Sequence, residues 1–192
     1  MRKKSTDRTI GSTHHGAAEF PRPSCLKGAS AKPLETVVLA LGSNRGDRQV
    51  HLRRAVRELS RHVSIVAISS VWETEPMGCR DDAEIFFNLL VAGSTRLDPA
   101  GLLSAVNAVE RHGGRRRRLR NDTRTIDVDI LFFGGRAIRS RDLVVPHPRF
   151  RARNFVLEPL REIARVIPIP PFAGELATMV GEGKVRRAGT LY

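Results

Sequence analysis

"TRTIDVDILFFGG", residues 123–135, is the stretch on which the fold turns. Ile126, Val128 and Ile130 alternate with Asp127 and Asp129. A period of two is the signature of a β-strand, whose side chains point to opposite faces in turn. The isoleucines and valine suit a face covered by helices. The two aspartates, with Leu131 beyond them, then lie on an open face. At ~3.4 Å of rise per residue, carboxylates at i and i+2 sit about 7 Å apart at Cα.

Working outward, the flanking segments supply the rest of a small α+β domain. "TVVLALGSN" (36–44) reads as a strand ending in a Gly-Ser-Asn turn. Asp47 can cap a helix whose apolar stripe is Leu52, Ala55, Val56, Leu59 and Val63. "SIVAISSVWET" (64–74) and "FFNLLVAGST" (86–95) read as two more strands. Asp98-Pro99 makes an N-cap followed by a proline at the first helical position, with Leu102, Leu103, Val106 and Val109 as the buried stripe. His112-Gly113-Gly114 stops that helix. After the Asp127–Asp129 strand, 136–148 can add a short edge segment, and 153–165 carries Phe155, Val156, Leu160 and Ile163 at helical spacing.

The order β-α-β-β-α-β is the ferredoxin-like arrangement, an antiparallel sheet with helices on one face, here with an added C-terminal helix. The strand after the second helix is expected to be central. Residues 1–35, without apolar periodicity, are expected to be a disordered basic extension, 36–170 the domain, and 171–192 a tail that can hold one short helix.

The 192 residues carry a formal charge of +13, unevenly spread. Residues 1–35 hold seven Lys/Arg against three acids, and 111–124 hold seven arginines against Asp122 alone. Such clustering attracts polyanions. Cys25 and Cys79 form no CxxC pair, which fits a reducing cytoplasm. The N-terminal stretch has no apolar core of a secretory signal, and Asp7 and Glu19 argue against an organellar transit peptide. No apolar run approaches the ~20 residues of a membrane span.

Two aspartates on an exposed face would ordinarily be solvated acids. The adjacent "GGRRRRLRNDTR" (113–124) changes that reading. Arg115 to Arg118 repel one another unless an anion is present, and arginine binds phosphate oxygens in a bidentate manner. Mg²⁺ takes one or two carboxylates together with substrate phosphates. Acids beside arginines therefore indicate a nucleoside-triphosphate site. The chain has no GK[ST], so this is not a Walker A site. "PHPRFRARNF" (146–155) adds His147, Arg149, Arg151, Arg153 and Phe155. Asn88, a polar residue inside an apolar strand, needs a partner, either nearby backbone or the hydrogen-bonding edge of a ligand. Phe86 and Phe155 can stack on a flat heterocycle.

With "LGSN", "SSVWETEPMG", "FFN", "GRRR…RTIDVDIL" and "VPHPRFRARNFVLEPL" in this order, residues 36–170 resemble the 6-hydroxymethyl-7,8-dihydropterin pyrophosphokinase family. The resemblance implies a ferredoxin-like enzyme of folate biosynthesis that transfers pyrophosphate from ATP to the pterin hydroxymethyl group and releases AMP. It implies that Asp127 and Asp129 hold two Mg²⁺ ions, and that Arg115, Arg124, Asp127 and Asp129 are the catalytic set. ATP contacts are implied for Arg115, Arg117, Arg124, Ile130, His147 and Arg153. Pterin contacts are implied for Thr74, Met77, Phe86, Asn88, Asp127 and Phe155. The partners are then two small molecules, with neither nucleic acid nor membrane, and the protein is expected to be a cytoplasmic monomer. Asn121-Asp122-Thr123 stands where the family commonly has Trp-Gly-Pro, and Phe86 where tyrosine is frequent. Two alternatives remain: a diverged paralogue with another pterin-like substrate, and a ferredoxin-like nucleic-acid-binding module.

Overall fold

The computed structural model describes residues 32–75, 85–114, 125–169 and 174–192. The expected extension lies outside the described residues up to residue 31. Lys32 is ion-paired with Asp98 at 3.1 Å. The elements are β1 (Glu35–Ser43), α1 (Arg48–Leu59), β2 (Ser64–Ile68), β3 (Val71–Thr74), β4 (Phe86–Thr95), α2 (Pro99–His112), β5 (Asp127–Phe133), β6 (Ile138–Arg139), β7 (Val144–Val145), α3 (Asn154–Ala164) and β8 (Val185–Gly189). Both expected caps form: Asp47 accepts from the Val50 amide and Asp98 from the Gly101 amide. Gly114, at φ +86°, takes the left-handed conformation that lets the chain leave α2. Among the described residues no helix is long and apolar enough to cross a membrane.

The main sheet is antiparallel, in the order β5-β1-β4-β3-β8, with β2 also paired to β4. The expected strand 64–74 is thus two strands. Ser69 hydrogen-bonds Leu90 through both its amide and its hydroxyl, and the Ser70 amide turns away to the Glu162 carboxylate at 2.6 Å. A serine side chain replaces backbone in the ladder there, and the strand bends.

α1 and α2 cover one face. Leu52, Val56, Leu59, Leu102, Val106 and Val109 pack on Val37, Leu39, Leu41, Leu89, Val91, Val128 and Ile130. Leu103, expected in that stripe, is only partly buried.

Three expectations are corrected. First, β5 is an edge strand, not a central one. β1 already lies between β4 and β5, so the α2 crossover must deliver β5 to the outside of β1. Secondly, the other face is not open along its length. α3 covers it with Val156, Leu157, Leu160 and Ile163, which pack on Val38, Leu90, Ala92, Leu131 and Phe132. Leu131 is therefore buried, not exposed beside the aspartates. A bulge opposite Val38 and Leu39 turns both Leu131 and Phe132 toward α3. Only the end of this face, with Ala40, Gly42, Asn88, Asp127 and Asp129, is left uncovered. Thirdly, residues 174–192 carry a strand of the main sheet, β8, and bury Leu176 and Leu191.

Candidate active site

The uncovered end of the sheet floors a cleft of about 630 Å³. Antiparallel register places Asp127, Gly42, Asn88 and Trp72 in one row across four strands. Directly opposed residues share a face, so the row is a single strip of floor. Gly42 is its low point. A Cβ there would stand 3.0 Å from the Asn88 Oδ1, so any larger residue fills the floor.

Asn88 is 7% exposed, and its Nδ2 donates to the Thr74 hydroxyl at 2.9 Å. That bond answers the cost of a buried amide and fixes which end of the side chain stands over Gly42. Phe86 and Phe155, both half-buried, also line the cleft, and the Arg153 guanidinium lies 5.3 Å from the Phe155 ring centre.

Opposite the aspartates stand one histidine and two arginines from the segment before α3. His147 Nε2 and Arg153 Nη1 each lie 3.9 Å from the same Asp129 oxygen. The Arg149 amide donates to His147 Nδ1, so Nδ1 is the accepting nitrogen of a neutral ring. Burial lowers the His147 pKa below its ordinary value, and Arg153 and Arg149 lower it further, against the opposite pull of Asp129 and Asp127. The ring is therefore neutral at neutral pH. Burial also lowers the Arg153 pKa, with Arg149 acting in the same sense. His147 and Arg153 thus sit against Asp129, with Arg149 near enough to act on both.

The cleft continues around the edge of β5. Leu103, Val106, Val128, Ile130, Leu143 and Val144 make an apolar slot with Asn107, Glu110 and Asp142 at its margins. Glu110 is 5% exposed and accepts the Val128 amide at 3.0 Å. The Val128 amide thus points away from β1, and by strand alternation the Ile130 backbone points the same way, into the slot. The His147 amide donates to the Leu131 carbonyl, which seats the β6-β7 hairpin and its continuation along this edge.

Of the expected site residues, the fold brings together Thr74, Phe86, Asn88, Asp127, Asp129, Ile130, His147, Arg153 and Phe155. Met77, Arg115, Arg117 and Arg124 lie outside the described residues. The ends of the arginine segment are described: Thr125 donates its hydroxyl to the Gly113 carbonyl, and Ser43 donates to the Thr125 carbonyl at 2.6 Å. Both ends are therefore anchored at the head of β5. Sequence reasoning missed Asn107, Glu110, Asp142 and Glu182, while Arg149, noted in the 146–155 run, does line the cleft. Glu110 had a visible signal: it stands on the buried side of α2, one residue after Val109 in the apolar stripe. Asp142 and Glu182 sit in irregular segments and had none.

Carboxylates facing basic side chains in a cleft, beside an apolar slot on a strand edge, fit an enzyme that moves a phosphate-bearing group. The family model described as 7,8-dihydro-6-hydroxymethylpterin-pyrophosphokinase matches residues 38–165. A 2-amino-4-hydroxy-6-hydroxymethyldihydropteridine pyrophosphokinase of Bacillus subtilis is 44% identical over 131 residues, 67% of this chain and 78% of the relative. The enzyme of the same name from Aquifex aeolicus is 38% identical over 130 residues, 68% of this chain and 81% of the relative. This chain spans only 38% of the Bifunctional protein FolKE of Lactococcus lactis, at 39% identity. Among solved structures, a Plasmodium falciparum HPPK-DHPS matches with a TM-score of 0.53 over 69% of this chain and 41% of its own, and at 16% identity it speaks for the fold alone. The chain belongs to the 7,8-dihydro-6-hydroxymethylpterin-pyrophosphokinase family, and is an ATP-dependent diphosphotransferase of folate biosynthesis.

Proposed function

We propose that the reaction proceeds between a pterin seated on the Gly42–Asn88 floor and an ATP lying around the edge of β5. The observation that carries this reading is the position of His147 and Arg153 against Asp129 in one continuous cleft, which runs from the Gly42–Asn88 floor around the edge of β5. The flat walls of Phe86 and Phe155 and the amide of Asn88 suit a heterocycle with a mixed donor and acceptor edge. The apolar slot suits a purine, which the Ile130 backbone reads as an edge strand reads a partner. His147, kept neutral by burial, contacts the triphosphate as a hydrogen-bond donor through Nε2. Arg153, with Arg115, Arg117 and Arg124, neutralises the transferred group, and the Met77 backbone closes the pterin side.

The substrate hydroxymethyl oxygen attacks the β-phosphorus in line. The new O–P bond forms as the bond to the α-phosphate oxygen breaks, AMP leaves with that electron pair, and the hydroxyl proton passes to solvent. No covalent enzyme intermediate is required, so the protein's contribution is positioning and charge stabilisation. Two hard oxygen donors on an open face with room for water and phosphate fit Mg²⁺ chemistry, and Asp127 and Asp129 would hold two such ions. When bound, they neutralise the triphosphate and make its β-phosphorus more electrophilic. The proposed working unit is a monomer acting in the cytoplasm.

AMP release from ATP with the hydroxymethyl pterin tests this. Magnesium-dependent release, lost in Asp127→Ala and Asp129→Ala, is expected. Salt-sensitive RNA binding without AMP release would sink the reading in favour of a nucleic-acid module.

A further inference from the structure

The segment before β8 does more than end the chain. Residues 181–183 cross the N-terminus of α3, and four hydrogen bonds join them to it. The Glu182 amide donates to the Ala152 carbonyl at 2.9 Å, and the Asn154 amide donates to the Glu182 carbonyl at 3.0 Å. The Asn154 side chain holds both flanks: its Oδ1 accepts from the Gly181 amide at 3.0 Å, and its Nδ2 donates to the Gly183 carbonyl at 2.9 Å. Gly181 leaves no room for a side chain, since a Cβ would meet the Asn154 nitrogen at 2.7 Å and Arg153 backbone at 2.9 Å. Gly183, at φ +87°, turns the chain toward β8.

This contact sits at a sensitive place. Asn154 lies between Arg153 and Phe155, and Glu182 itself lines the cleft. The first amides of a helix lack internal partners, and Arg153, at the N-cap position, supplies no side-chain cap. The Glu182 carbonyl takes that role for the Asn154 amide, while the Arg153 guanidinium, which has no acceptor to offer, faces Asp129. Past Gly183 the chain pairs with β3, where Val185 is opposite Thr74. One segment therefore ties the Arg153–Phe155 side of the cleft to its Thr74 side.

We propose that Asn154 is a positioning residue for the transfer reaction, acting through its clasp on residues 181–183 to hold Arg153 and Phe155 in register with Thr74 and Asn88. The inference rests on the site reading above, in which Arg153 meets phosphate and Phe155 stacks on the pterin. It concerns a residue that touches neither ligand.

The test uses the full chain with Asn154→Ala and, as a second route to the same contact, Gly181→Ala. AMP release is measured with each substrate varied, alongside thermal unfolding. Pterin binding is followed by the fluorescence of Trp72, the single tryptophan. A displacement of about 1 Å costs up to about a hundredfold in rate, so kcat should fall about ten- to a hundredfold, and the pterin dissociation constant should rise, by more than any drop in melting temperature accounts for. Normal kcat and pterin affinity in both folded variants overturn the proposal, as does a loss that only tracks unfolding. Arg153→Ala and Phe155→Ala are assayed in parallel. If these impair catalysis while both clasp variants are normal, only the clasp inference fails. If these two are also normal, the site reading fails and takes the inference with it.

Discussion

Gly42→Ala is a one-methyl change that tests the floor of the pterin side. The new Cβ would stand 3.0 Å from the Asn88 Oδ1, closer than carbon and oxygen normally approach, so Asn88 must move. Asn88 cannot move freely, because it is 7% exposed and its Nδ2 is bonded to Thr74 at 2.9 Å. Rotation that breaks this bond leaves a buried donor unsatisfied, at about 1–3 kcal/mol. If Asn88 instead stays, the methyl occupies space above Gly42 and the heterocycle is lifted off its polar partner, at a similar cost. At 1.4 kcal/mol per tenfold, the pterin dissociation constant should rise by about five- to a hundredfold. The ATP constant should not change, because the slot proposed for the nucleotide lies across β5. Trp72 pairs directly opposite Asn88, so its fluorescence reports pterin binding from the same row. An unchanged pterin constant in a folded Gly42→Ala protein would refute the assignment of this floor.

Chelation of divalent cations should abolish AMP release, and excess Mg²⁺ should restore it. Metal-independent turnover would remove the stated role of Asp127 and Asp129. Glu110→Ala leaves the Val128 amide buried without its acceptor, so it should lower stability by about 1–3 kcal/mol and weaken ATP binding, while Glu110→Gln, which keeps an acceptor oxygen, should do neither to the same extent. Denaturant titrations and ATP KM check both. The Asp98 carboxyl is held below its ordinary pKa by the Gly101 amide and by Lys32. Such an acid adds stability above its unfolded pKa of about 3.9, and that stability is lost as pH falls through the lower folded value. Asp98→Asn should therefore flatten this part of the acid limb in melts recorded against pH, and a limb of unchanged slope would count against the cap.

Much of the fold could be read from local pattern. Alternation in 126–130, the helical stripe from Leu52 to Val63 and the Asp98-Pro99 cap each depend on neighbours within one or two turns, so the chain states them directly. The break at Ser69–Ser70 was missed because its cause, the Glu162 carboxylate, arrives from a helix 92 residues away. Leu131 lies on the face of the aspartates as alternation predicts, but α3, a distant segment, covers it, and a bulge set by pairing with β1 turns Phe132 to that face as well. The candidate site divides in the same way. Asp127, Asp129, Asn88, His147 and Arg153 stand out as polar groups where pattern or charge run makes them unusual. Glu110 could have been noticed on the apolar side of α2, but nothing local distinguishes Asp142 or Glu182 from surface acids.

The amino-acid sequence by itself determined the three helices, most of the strands, and that acids and arginines concentrate around one strand, because propensity, alternation and charge are properties of short segments. Only the tertiary structure decided that this strand is an edge, that α3 closes most of the second face, and that the C-terminal residues clasp the start of α3. Those facts follow from which strand is already occupied when the next arrives, and from contacts between segments distant along the chain. The aspartates of "TRTIDVDILFFGG" owe their chemistry to both. The alternation turns them to one side, and the packing of α3 over the rest of that side leaves them facing the cleft.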